Sequence, residues 1–148
     1  MADNRLRAVG INHVGLEVGD IEAALEFYGK LFEIDLLSRS ETSAFIGLGD
    51  QFIALFKGGS SARDTGRHFG LVVDDPAKGR AILEAMGVEL MAGKGVDFND
   101  PWGNHVQLTT YEKIQFTKMP AVLRRMGMED LEKTDEAKRE IARKGFAD

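Results

Sequence analysis

The chain contains no cysteine among its 148 residues, which excludes disulfide bonds, thiolate zinc sites and cysteine nucleophiles. It has only three prolines, and no apolar run approaches the length that a membrane-spanning helix needs. Residues 1–8 are charged, and no apolar stretch follows them. We therefore expect no signal peptide and predict a cytoplasmic protein.

Basic charge is also scarce, since 19 lysines and arginines face 24 acidic residues and the formal net charge is −5. Such a chain lacks the electrostatic footprint of proteins that bind nucleic acids or anionic membranes. The hydrophobic content of 43% and the charged content of 29% are ordinary for a folded globular protein. We predict a small-molecule substrate or ligand as the partner, with no nucleic acid and no membrane.

The clearest feature that is present is an internal repeat. Residues 13–20 read His-Val-Gly-Leu-Glu-Val-Gly-Asp, and residues 68–75 read His-Phe-Gly-Leu-Val-Val-Asp-Asp. The two fragments share five identities at the constant offset 68 − 13 = 55. Each ends in an aspartate that suits a helix N-cap, at Asp20 and Asp75. The chain therefore predicts two copies of one module.

The elements that follow keep the same order in both copies, which residues 57–66 separate as a Gly/Ser-rich linker. Hydrophobic periodicity predicts a strand, an amphipathic helix, a short strand and a hairpin in each copy. The predicted strands are 11–18, 34–37, 43–48, 51–56, 68–73, 88–91, 96–98 and 105–110, and the helices are 21–32 and 76–86.

The two hairpins align at 98 − 45 = 53, which matches Phe45 with Phe98 and Ala54 with Gln107. Sequential strands without long helical crossovers favour mixed sheets that curl. A curled sheet has a convex face covered by the helix and a concave face left open. Strand alternation places all three histidines of the chain on the concave side, at His13, His68 and His105. Imidazole is the commonest metal ligand near neutral pH.

These motifs resemble the vicinal oxygen chelate superfamily, which includes glyoxalase I, fosfomycin and bleomycin resistance proteins, extradiol dioxygenases and methylmalonyl-CoA epimerase. The resemblance covers residues 10 to about 111 and includes the run Asp-Pro-Trp-Gly-Asn-His-Val-Gln-Leu that starts at residue 100. It implies an α+β fold of two paired βαβββ modules with cupped mixed sheets. We expect these modules at 9–57 and 67–111, together one domain over about 9–111, and a helical extension at 112–148.

The resemblance also implies a divalent metal ion (zinc, nickel, manganese or iron) in the cup, with His13, His68 and Gln107 as ligands. Ala54 and Gln107 stand where metal-binding members usually have glutamate. The remaining donors are neutral, so we expect weaker affinity than at a site with two histidines and a carboxylate. We assign catalytic roles to Gln107 and His105, since histidine is suited to acid–base work.

The predicted site and the family resemblance are consistent with two functions. The first is a metal-dependent lyase, isomerase or dioxygenase-type enzyme acting on a small oxygen-rich substrate. The alternative is a metal-free protein of the bleomycin-resistance type that binds or sequesters a small molecule in an aromatic cup. Members of the family usually form homodimers, so the resemblance implies a homodimer here. The two modules would pair either within one chain or across that dimer. The predicted pocket residues are Phe45, Phe52, Phe56, Phe98 and Trp102.

Overall fold

A computed structural model describes residues 11–59 and 62–146, so the first residues of the predicted domain lie outside the described part. It confirms the α+β fold, with one helix and a mixed sheet in each module. The first module comprises β1 (His13–Val18), α1 (Ile21–Leu31), β2 (Asp35–Arg39), β3 (Ser43–Gly47) and β4 (Phe52–Lys57), and the second comprises β5 (Phe69–Val73), α2 (Pro76–Ala85), β6 (Val96–Asn99) and β7 (His105–Thr110).

The two sheets have related strand orders, β1-β4-β3-β2 in the first module and β5-β7-β6 in the second. In each, the first strand lies at an edge and pairs in parallel with the last strand, which forms a hairpin with the strand before it. The predicted strand at 88–91 is wrong as a full element, since Leu90 makes only an isolated bridge to Phe98. The chain leaves the sheet immediately afterwards, through Gly93 at φ +147°.

Local signals set the helices as predicted. The Asp20 carboxylate accepts a hydrogen bond from the backbone N–H of Ala23 at 2.9 Å, and the Asp75 carboxylate accepts one from Lys78 at 3.1 Å. Each helix covers one face of its sheet, and this is the face that the alternation of apolar residues along the strands predicted to be buried. The buried residues of this face include Leu16, Val18, Ile53, Leu55, Leu71, Val106 and Leu108 from the strands, with Ala24 and Leu83 from the helices.

The seam between the modules is built around Asp100, in the turn between β6 and β7. Its carboxylate accepts a hydrogen bond from the Tyr28 hydroxyl at 2.7 Å, and both side chains are buried. Burial, reinforced by the Asp100 charge, raises the pKa of Tyr28 well above its ordinary value. Trp102 of the same turn packs against Gly19, where a Cβ would come within 2.5 Å of the indole nitrogen. The turn between β6 and β7 therefore joins the second module to the first.

The C-terminal extension folds back onto the first module and is helical, as predicted. The Lys118 ammonium reaches the Asp50 carboxylate in the turn between β3 and β4. The Lys133 ammonium donates to the backbone carbonyls of Tyr111 at 2.6 Å and Ile114 at 2.9 Å. None of the described helices is long and apolar enough to cross a bilayer. The elements here are a 3-10 helix (Tyr111–Lys113), α3 (Pro120–Arg125) and α4 (Asp135–Arg143).

Candidate functional site

The open face of the second sheet carries a compact group of polar side chains. The rings of His68 and His105 lie 5.0 Å apart between centroids. Gln107 stands two residues further along β7, where it opposes Asp97 of β6 and Gly70 of β5. The structure therefore brings together three of the predicted site residues and adds the carboxylate of Asp97, which was not among them.

Both ring nitrogens of His105 are engaged. Nδ1 lies 3.1 Å from the backbone carbonyl of Thr65, and Nε2 lies 2.9 Å from the Asp97 carboxylate. The side chain is only 9% exposed. Metal coordination or proton transfer by His105 would first have to break one of these bonds. The geometry consequently favours an anchoring role for His105 over the catalytic role that we predicted.

Gln107 donates a hydrogen bond from Nε2 to the Asp97 carboxylate at 3.3 Å. A carboxylate only accepts, so the amide nitrogen must face Asp97 and the amide oxygen must face elsewhere. That oxygen lies toward Gly70, at 3.9 Å from the position a Cβ would take there. The oxygen is the atom of glutamine that can coordinate a metal.

The open face of the first sheet is aromatic instead. The ring of His13 stacks on Phe52 with centroids 4.7 Å apart and an interplanar angle of 12°. Phe45 contacts Phe52 at 5.7 Å and Phe56 at 6.1 Å between centroids. Ala54, which pairs with Phe45 across the hairpin, offers no ligand atom. Three of the predicted pocket residues thus form one surface beside His13.

His13 and His68 share a hydrogen-bond pattern that suits metal binding. Nδ1 of His13 lies 2.9 Å from the side-chain oxygen of Asn12, and Nδ1 of His68 lies 3.0 Å from the carbonyl of Gly66. An acceptor oxygen at Nδ1 selects the tautomer of a neutral imidazole that has its proton on Nδ1 and its lone pair on Nε2. Metal-binding histidines are commonly oriented by such a bond from the other nitrogen. In chemical type, two imidazoles and one amide oxygen therefore suit a divalent ion.

Phe98 and Trp102 do not join this surface, contrary to prediction. Phe98 is fully buried, pairs with Val106 and packs near Phe27 of α1, so it belongs to the core. Trp102 lies at the module seam against Gly19.

The error at Phe98 comes from the hairpin alignment. Phe45 opposes Ala54, whereas Asp97 opposes Gln107, so the offset is 107 − 54 = 53 on one strand and 97 − 45 = 52 on the other. The turn at 100–104 has one residue more than the turn at 48–51. A one-residue shift moves a side chain to the other face. The strand ends that define these turn lengths are set by the fold, and they place Asp97, and not Phe98, on the open face.

The single chain presents these residues as two half-sites. His13 and the aromatic surface belong to the first sheet, and His68 and Gln107 belong to the second, with β1 and β5 as edge strands of separate sheets. Over residues 11–59 and 62–146, no group of three or more histidine, aspartate and glutamate side chains is placed to hold a metal ion. A complete three-ligand site requires the two open faces to meet.

Curated relatives of the chain include metallothiol transferases. One from Staphylococcus haemolyticus, named metallothiol transferase FosB, is 44% identical over 46 residues, a match that covers 31% of this chain and about a third (33%) of the relative. Another of the same name, from Bacillus licheniformis, is 25% identical over 133 residues, covering 78% of this chain and 85% of the relative.

The fold matches solved structures more broadly. The fosfomycin resistance protein FosX from Listeria monocytogenes, solved with Mn(II) and a sulfate ion, superposes with a TM-score of 0.62 at 18% identity. The match covers 81% of this chain and 99% of that protein. The family model for the Glyoxalase/Bleomycin resistance protein/Dioxygenase superfamily matches residues 10–108. With this match over most of its length and the paired module fold, the chain belongs to the glyoxalase/bleomycin resistance protein/dioxygenase superfamily.

Proposed function

We propose that the protein is a metal-dependent enzyme that transfers a thiol to a small, oxygen-rich substrate. The observation that carries this proposal is the shared orientation of His13 and His68, whose Nδ1 atoms are both engaged so that Nε2 is left for a ligand. The amide oxygen of Gln107, turned away from Asp97, supplies the third donor. The names of the curated relatives support the choice of a thiol as the co-substrate.

The donor set also favours addition over proton abstraction. A divalent ion held by these three neutral donors would polarise neighbouring oxygens of a bound substrate. Isomerisation by a glyoxalase-type route needs a carboxylate base, and Ala54 and Gln107 leave both hairpin positions without one. Asp97 is a carboxylate on this face, but His105 and Gln107 already engage it. Thiol transfer needs no carboxylate base, because the thiol loses its proton to solvent, the thiolate attacks carbon, the C–O bond breaks and the oxygen takes a proton from solvent.

The aromatic surface of the first sheet would pack the carbon skeleton of the substrate and exclude water. Phe56 leaves 46% of its surface exposed in the single chain. We propose that this surface and the polar face of the second sheet meet across a homodimer, so that His13 of one copy completes the site of the other. A closed two-fold dimer would then hold two equivalent sites.

The first test is metal analysis of protein purified without chelator, followed by titration with Mn(II), Zn(II) and Ni(II). We expect about one ion per chain, and loss of that ion in the combined variant His13→Ala and His68→Ala. Conversion of fosfomycin in the presence of cysteine or glutathione, followed by mass spectrometry, tests the reaction class. Wild-type protein that binds none of these ions would overturn the proposal.

Mixing variants tests the sharing of sites between copies. If the site spans two subunits, co-refolding of His13→Ala chains with His68→Ala chains creates heterodimers in which one of two sites is intact. Since half of randomly formed dimers are heterodimers, about a quarter of the wild-type metal capacity should return. If each site lies within one chain, none returns.

The aromatic surface itself favours a second candidate, a metal-free binding protein of the bleomycin-resistance type. Stacking of His13 on Phe52 gives its ring a packing role that needs no metal. This candidate predicts an organic ligand that copurifies with the protein, and ligand affinity that chelators leave unchanged. Native mass spectrometry before and after chelation distinguishes the two.

A further inference from the structure

We propose that Asp97 is a positioning residue, which turns the amide oxygen of Gln107 into the open face. The inference rests on the metal-dependent function proposed above. It assigns a purpose to the glutamine at position 107, where the family usually has glutamate.

Asp97 fixes the orientation of the Gln107 side-chain amide. Gln107 Nε2 lies 3.3 Å from Asp97 Oδ2, and a carboxylate accepts hydrogen bonds without donating any. Rotating the amide by half a turn would set two oxygens against each other. Asp97 therefore holds the Gln107 oxygen toward Gly70, on the side of the strand where His68 precedes β5.

Asp97 is itself anchored by His105. Its other oxygen lies 2.9 Å from Nε2 of His105, whose Nδ1 lies 3.1 Å from the carbonyl of Thr65. A continuous series of hydrogen bonds thus runs from the backbone at Thr65 to the amide of Gln107. Hydrogen-bonded partners of this kind orient metal ligands, and their loss typically costs about 10–100-fold in metal affinity.

Gly95 leaves the space that the Asp97 carboxylate occupies. A Cβ at Gly95 would come within 2.7 Å of Asp97 Oδ2 and 3.6 Å of Gln107 Nε2. Glycine at this position leaves room for both side chains to lie side by side. The Asp97 side chain is 20% exposed, so its charge is only partly screened by water.

The charges at positions 97 and 107 depend on each other. Asp97 already places one carboxylate beside position 107. A glutamate at position 107 would place a second carboxylate against Asp97, and two like charges in contact repel. Amide at 107 and carboxylate at 97 are therefore matched, and exchanging them should preserve the balance that either single change destroys.

The test compares Asp97→Asn, Gln107→Glu and the exchange variant that combines them, by Mn(II) titration calorimetry and by Mn(II) electron paramagnetic resonance. We expect Asp97→Asn to weaken Mn(II) affinity by about 10–100-fold. Gln107→Glu alone should give no gain, and the exchange variant should return to within about threefold of wild type. Asp35→Asn, an exposed carboxylate in β2 of the first sheet, is the matched control and should leave affinity unchanged.

A metal-free measurement separates this inference from the function on which it rests. The side-chain amide resonance of Gln107, identified by its loss in Gln107→Glu, should shift in Asp97→Asn and stay in place in Asp35→Asn. A shift in protein that binds no metal would overturn the proposed function and leave the positioning role standing. An unmoved resonance, or an exchange variant no better than Asp97→Asn, would overturn the role of Asp97.

Discussion

Replacing Asp100 with alanine tests whether the turn between β6 and β7 holds the two modules together. The Asp100 carboxylate accepts hydrogen bonds from the Tyr28 hydroxyl at 2.7 Å, from the backbone N–H of Trp102 and Asn104 at 2.9 Å each, and from the Asn104 side chain at 2.8 Å. Asp100 is 4% exposed and Tyr28 is 3% exposed. The variant would leave the Tyr28 hydroxyl without its acceptor in a site that water does not reach.

The magnitude follows from these bonds. A buried group that loses its partner costs about 1–3 kcal/mol, and bonds to a charged acceptor lie at the upper end of that range. The Asn104 groups are less buried and recover part of the loss from water. We therefore expect Asp100→Ala to lower the free energy of unfolding by about 3–5 kcal/mol, a large share of the roughly 5–15 kcal/mol of an ordinary domain.

Equilibrium urea unfolding, followed by circular dichroism and by Trp102 fluorescence, measures this loss. Asp100→Asn keeps one acceptor oxygen and should lose only about 1–2 kcal/mol. Combining Tyr28→Phe with Asp100→Ala should cost less than the sum of the two single changes, because both remove the same bond. A loss below about 1 kcal/mol for Asp100→Ala, or strict additivity with Tyr28→Phe, would refute this account of the seam.

Three further predictions concern other parts of the molecule. The raised pKa of Tyr28 means that the folded state keeps a proton that the unfolded chain releases near pH 10, so stability should fall as pH rises above 10, and Tyr28→Phe should flatten that decline in urea unfolding at pH 9 to 11. Lys133→Met removes the ammonium that donates to the carbonyls of Tyr111 and Ile114, so we expect a loss of about 1–2 kcal/mol and faster proteolysis of the extension; an unchanged cleavage rate would contradict this. Phe56→Asp places a charge on the exposed aromatic surface and should shift the mass by light scattering from dimer to monomer, whereas the exposed-site control Glu41→Asp should not.

Local patterns were sufficient for most of the architecture. The N-caps at Asp20 and Asp75 form as predicted, because a capping bond spans only three residues. The assignment of the helix-facing side also holds for β1 and β5, with Leu16 and Leu71 buried under the helices. The short strand at 88–91 fails because a four-residue apolar run does not by itself reveal whether a partner strand lies within reach.

The residue types on the two open faces were predictable from the sequence, and their arrangement was less so. His13, His68 and Gln107 stand on open faces, as alternation predicted. The engagement of both nitrogens of His105 depends on Thr65 and Asp97, which come from separate segments of the chain. Sequence spacing carries no information on such bonds.

The sequence by itself determined that there are two related modules and which side of β1, β4, β5 and β7 the helices cover, because helix and strand periodicities are properties of neighbouring residues. Only the tertiary structure decided which residues stand opposite one another across β6 and β7. One extra residue in the turn at 100–104 moves Phe98 into the core and sets Asp97 beside Gln107. Register and hydrogen-bond partners are relations between distant segments, so the chemistry proposed for this face follows from the fold.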